Sequence, residues 1–140
     1  MHRKTVVALI GAIVVALGAS GVALAASSPG PSVSVTIKSA TKILRQVTVH
    51  GENGSITKGG TPKGKCPGNT AAGALDAATH GKWAGKWYSS VPGIFVTSIL
   101  GVKPTGQSFW GVFVNGKSSS KGICDIKLKP GQKLAFKLVG

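Results

Sequence analysis

The stretch 108-SFWGVFVNGKSSSKGICDIKLKPGQKLAFKL-138 decides the fold. Phe109, Gly111 and Phe113 alternate with Trp110, Val112 and Val114, the period of two that sends successive side chains to opposite faces of a sheet. Asn115-Gly116 follows, a dipeptide whose residues tolerate positive φ, so the chain can reverse tightly there. Lys129-Pro130-Gly131-Gln132 supplies a second turn, and Leu134, Phe136 and Leu138 resume the alternation. The stretch reads as two or three antiparallel strands joined through a cysteine-bearing turn.

Upstream, Val33, Val35 and Ile37 alternate with Ser34, Thr36 and Lys38 in a half-buried strand, and Ile43 to His50 gives a second. Thr57 to Asn69 is rich in glycine, proline and lysine and is expected to be an irregular loop. Asn69 or Thr70 can cap a helix in which Ala71, Ala74, Leu75 and Ala78 share a face, and Gly81 ends it. Asp76 is expected to face water on that helix. Lys82 to Ser90 is expected to be a loop of tryptophan, tyrosine and lysine, and Ile94 to Leu100 a buried strand. The order strand, strand, helix, then about three strands predicts an α+β fold, β-grasp-like, with one helix on a small mixed sheet of about five strands.

His2, Arg3 and Lys4 precede an apolar run from Val6 to Leu17, and Ala23-Leu24-Ala25 has the small-x-small form of a cleavage site. Residues 1–25 are therefore expected to be a signal peptide, 26–32 a flexible lead-in and 33–140 one domain. The membrane would be met only through the signal segment before cleavage, the alternative being an uncleaved anchor over Thr5 to Ala26. The predicted localisation is secreted, extracellular or at the cell envelope. The formal charge of +14 falls to +12 once Arg3 and Lys4 leave with the signal. Such a field attracts polyanions, among them polyanionic cell-wall or extracellular polymers, while the export signal argues against nucleic acid as a cellular partner. Lysines that simply face water are the plain alternative.

Cys66 and Cys124 are the two cysteines, and an oxidising compartment allows a disulfide between them. A thiol nucleophile, or a metal site with His50 and His80, is the alternative; neither has a supporting motif, so no metal and no cofactor are predicted. The carboxylates number three, Glu52, Asp76 and Asp125, too few and too scattered for a general acid-base enzyme, with Asp76 and Asp125 the one plausible pair. The chain is expected not to be an enzyme. Trp83, Trp87, Tyr88 and Trp110 can offer flat apolar contact, with Asn115 and Lys117 as polar contacts at the turn. The structural alternative folds Trp83 or Trp87 back onto the sheet as core.

Taken together, Ala74-Leu75-Asp76-Ala77-Ala78, Gly81-Lys82-Trp83, Val96-Thr97-Ser98-Ile99, Phe109-Trp110 with Val114-Asn115-Gly116, and Gly122-Ile123-Cys124 with Leu128-Lys129-Pro130-Gly131 resemble the transcobalamin-like C-terminal domain family, secreted bacterial domains of unknown function. The resemblance implies a β-grasp-like fold and a bridge between Cys66 and Cys124. It also implies that a small planar ligand such as a corrinoid is a candidate, because a vertebrate relative uses such a domain as half of a clamp around cobalamin. The expected function is a secreted, non-catalytic binding module at the bacterial cell envelope that contacts polyanionic or surface ligands through a lysine- and tryptophan-bearing surface, with the planar ligand as the alternative and a small secreted hydrolase ranked after both.

Overall fold

A computed structural model describes residues 30–140. The expected signal peptide and the first residues of the lead-in lie outside the described residues. Strands β1 (Ser32–Lys38) and β2 (Ile43–His50) form an antiparallel hairpin. Helix α1 (Ala71–Thr79) follows, then β3 (Trp83–Tyr88), β4 (Gly93–Ile99), β5 (Phe109–Val114), the two-residue β6 (Lys117–Ser118) and β7 (Lys133–Val139).

The main sheet runs β2-β1-β7-β5-β6. Its last strand inserts at the centre, parallel to β1 and antiparallel to β5. That arrangement, with one helix across one face, is the expected β-grasp-like α+β fold. The alternation read from sequence fixes which face turns inward: Val33, Val35, Ile37, Leu134 and Phe136 are sealed against α1 and its surroundings. Ser34, Thr36, Ala135 and Lys137 on the other face stay half-exposed. The Asn115-Gly116 reversal has positive φ at both residues, 50° and 84°, as a tight hairpin between β5 and β6 requires.

The stretch expected to be an aromatic loop is instead β3, which pairs with β4 in a two-stranded sheet of its own. The alternation of Trp83, Gly85 and Trp87 with Ala84, Lys86 and Tyr88 satisfies a half-buried strand, with Lys86 on its outer side and Lys82 exposed just before it. For the same reason β4 is not buried throughout: Ile94 and Val96 turn inward while Phe95 and Thr97 turn out.

Helix α1 starts where expected, but not by side-chain capping. Thr70 occupies the N-cap position, yet its hydroxyl donates to the Pro67 carbonyl at 2.6 Å. The first free helical amides are taken by a neighbouring segment, with Ala71 N–H donating to the Ile126 carbonyl (2.9 Å) and Ala72 N–H to that of Ile123 (3.1 Å). At the other end the left-handed residue is His80 (φ 52°), followed by Gly81 (φ 76°). The Cys66–Cys124 disulfide, with its Cα atoms 4.8 Å apart, ties the loop before α1 to the segment that caps it. A metal site with His50 and His80 is thereby excluded for these thiols, and no cluster of metal-ligating side chains occurs among the described residues.

Candidate functional site: an aromatic groove between two sheets

Among the described strands β4 pairs only with β3, apart from a bridge from Ile99 to Val102, and β6 covers the outer edge of β5 only at Phe113 and Val114. The facing edges of β4 and β5 therefore run beside each other without a shared ladder. A groove of about 830 Å³ opens between them, within the range of small-molecule sites. Ile94, Val96, Trp110, Val112 and Ile123 line its inner part, and Ser119 to Gly122 with Asp125 also border it.

The rim carries the distinguishing feature. Tyr88 (44% exposed), Val91 (78%), Phe95 (52%) and Phe109 (46%) all border the groove, and among the described residues the one other large apolar side chain this exposed is Ile43. Exposed apolar side chains gathered at one concavity, rather than scattered, mark a contact surface.

The residues singled out in the sequence divide among three places. Tyr88 and Trp110 line the groove. Trp110 is 6% exposed and its indole N–H donates to the Val102 carbonyl at 3.2 Å, so it presents an oriented wall. Trp83 lies in the core and Trp87 packs against it. Asn115 and Lys117 stand exposed at the β5–β6 turn, where the Asn115 carboxamide oxygen accepts the Lys133 amide at 2.9 Å. Sequence reasoning missed Val91, Phe95 and Phe109 as site residues. The alternation along β4 was the available signal, hidden because IFVTSIL is apolar enough to pass for a strand buried on both faces.

A second constellation lies on the helix side. Asp76 does not face water as expected: its Oδ1 accepts the Trp83 indole N–H at 2.8 Å and stands 4.0 Å from Lys58 Nζ. The ammonium of Lys58 donates to the carbonyls of Gly81 (2.6 Å) and Trp83 (2.7 Å) and sits 5.0 Å from the Trp83 ring centroid. The carboxyl of Glu52 is pushed up to about 7, first by burial, then by the Asp76 charge and by the hydrogen bond it shares with Asp76. The partner of Asp76 is thus Glu52, not Asp125, which lies exposed at the border of the groove. Trp83, Lys58 and the two carboxyls bind the loop after β2 to α1 and β3.

No helix among the described residues is long and apolar enough to cross a membrane. No curated protein matches this sequence. Two of the solved structures similar in fold illustrate the likeness. One is a candidate metal-binding protein from Ruminococcus gnavus, with TM-score 0.55 and 10% identity over 78% of this chain and 96% of that one. The other is haptocorrin in complex with Cbi, with TM-score 0.54 and 14% identity over 78% of this chain but only 25% of haptocorrin. The family described as Domain of unknown function (DUF4430) matches residues 68–140. That span runs from the residues before α1 through the groove to β7, and the chain belongs to this family.

Proposed function

We propose that this chain is a secreted, non-catalytic binding module of the transcobalamin-like kind, and that the groove between β4 and β5 holds a small planar ligand such as a corrinoid. The carrying observation is the gathering of Tyr88, Val91, Phe95 and Phe109 around one concavity walled by Trp110. Flat rings gain most from such walls because they exchange large apolar areas for little conformational entropy. Haptocorrin, described with Cbi, lends support at the level of fold. A non-catalytic role is supported by the carboxylates: Glu52 and Asp76 are engaged with each other, Lys58 and Trp83, which leaves Asp125 alone at the groove. The disulfide suits an oxidising, extracytoplasmic setting.

The test is a titration of the oxidised chain with cobinamide, followed by tryptophan fluorescence and melting temperature. Quenching and a rise in Tm are expected, both lost in Phe95→Ala/Phe109→Ala. A titration that leaves wild-type fluorescence and Tm unmoved would sink the reading.

Contact with polyanions is a second reading, favoured by the open face of the main sheet. There Lys38 and Lys137 are in register on neighbouring strands, Lys133 lies further along β7, and Lys137 Nζ is held 4.6 Å from the Phe113 ring centroid. Binding to an acidic polymer should weaken steeply with salt. Retention on cell-wall material that is indifferent to salt would dismiss it.

A further inference from the structure

The groove does not end at Ser119 to Asp125. A second hollow of about 440 Å³ lies against the same segment, and Ser119, Lys121 and Asp125 border both. Its character is different. Lys121, Lys127 and Lys129 surround it, all exposed, and Gln132 forms part of its wall. Gln132 is 8% exposed, and its Oε1 accepts the Lys129 amide at 3.3 Å. With that oxygen engaged, the carboxamide NH₂ is the group Gln132 has to offer as a donor in a wall that it shares with the three lysines. Asp125 is the single carboxylate on the border, so its charge leaves the hollow positive. Neighbouring lysines repel one another and favour a shared anion, which also accepts from an amide donor.

From this continuity we infer that the ligand is an amphipathic anion: its flat apolar body lies in the aromatic groove, and a phosphate, sulfonate or carboxylate reaches past Ser119 into the lysine hollow. The inference rests on the groove reading of the proposed function and adds the charge, its sign and its place. It also gives Asp125 a role at the junction, where its carboxylate disfavours an anion placed too early along the groove and admits one placed fully in the hollow.

Two dyes of nearly the same shape separate the two claims. 8-Anilinonaphthalene-1-sulfonate carries a flat apolar body and an anion; N-phenyl-1-naphthylamine carries the body alone. Fluorescence titrations of the oxidised full chain would use wild type, Lys121→Gln/Lys127→Gln/Lys129→Gln, Phe95→Ala/Phe109→Ala, and a charge-matched control, Lys63→Gln/Lys65→Gln/Lys103→Gln. Wild type should bind the sulfonate on the order of tenfold more tightly than the neutral dye at low salt, with the advantage shrinking as salt rises. The lysine-hollow variant should lose that preference and keep the neutral dye, the control should keep both, and the phenylalanine variant should lose both. Equal losses in the hollow variant and the control would assign the preference to overall charge and overturn the anion site while leaving the groove intact. Undiminished binding of both dyes in the phenylalanine variant would overturn the groove itself. A wild type that does not prefer the sulfonate would overturn the inference directly. Inorganic phosphate as competitor gives a further arm: it should displace the sulfonate dye and not the neutral one, and displacement of neither counts against a phosphate-sized site.

Discussion

Trp83 donates its indole N–H to the Asp76 carboxylate at 2.8 Å, across the junction of helix α1 and strand β3. A tryptophan that packs in the core must still satisfy that N–H, and Asp76 is the group that lets it do so. Replacing Asp76 by Ala should cost about 1–3 kcal/mol, the usual penalty for orphaning a buried donor. Asp76→Asn, which keeps an acceptor oxygen, should cost less. Urea unfolding of the two variants decides the matter, and equal losses would show that the carboxylate charge, not the acceptor, is what counts.

Glu52 makes the same junction sensitive to pH. Its carboxyl is raised from about 4.5 to about 7 by burial, the Asp76 charge and their shared hydrogen bond. A folded-state value above the unfolded one means that the native chain binds a proton the unfolded chain has released. Its contribution to stability is complete below about pH 4.5 and is lost as pH rises through about 7. Glu52→Gln carries the donor permanently and no charge, so its stability should decline less over that interval. Melting temperatures of both forms at half-unit steps of pH measure the difference. Parallel curves would refute the assignment to Glu52.

The bridge between Cys66 and Cys124 joins two segments that both touch the start of α1. Its loss in Cys66→Ser/Cys124→Ser should cost about 2–4 kcal/mol through the freed unfolded chain. It should also loosen the helix start, because Ala71 and Ala72 donate to Ile126 and Ile123 on either side of Cys124. Amide exchange at Ala71 and Ala72 is expected to speed up more than at Phe136 in the sheet centre. Uniform acceleration would mean that the bridge acts on global stability alone.

The sheet was legible because its code is local. Alternation in Val33–Ile37 and Leu134–Leu138, and the Asn115-Gly116 turn, each specify strand, face and reversal within a few residues. The groove was not, because it arises from what two strands fail to do. Nothing in the sequence of β4 or β5 states that they run side by side without pairing; the outward positions of Phe95 and Phe109 follow from strand alternation, but that both border one groove does not. Tyr88 and Trp110, which line the groove, stood out by residue type. So did Trp83, and it takes the alternative the sequence also offered, packing in the core; a ring's chemistry alone does not choose between the two sides of a strand. The pairing of Asp76 with Glu52 was equally hidden, because it joins a loop to a helix in space, 24 positions apart in the chain.

Gly73 carries the last prediction, in which propensity and packing have opposite signs. Inside a helix, Gly→Ala ordinarily stabilises by about 0.5–1 kcal/mol. Here a Cβ on Gly73 would stand 1.8 Å from the Gly68 carbonyl oxygen and 2.6 Å from its carbon, both backbone atoms that cannot swing aside. Helix α1 would have to lift from the loop that carries the disulfide, with loss of the amide contacts at its first turn. Gly73→Ala should therefore destabilise by about 1–3 kcal/mol or more despite the better helix former. Thermal unfolding of the oxidised variant measures this, and a Tm equal to or above wild type would mean that α1 does not rest on Gly68 as closely as these distances require.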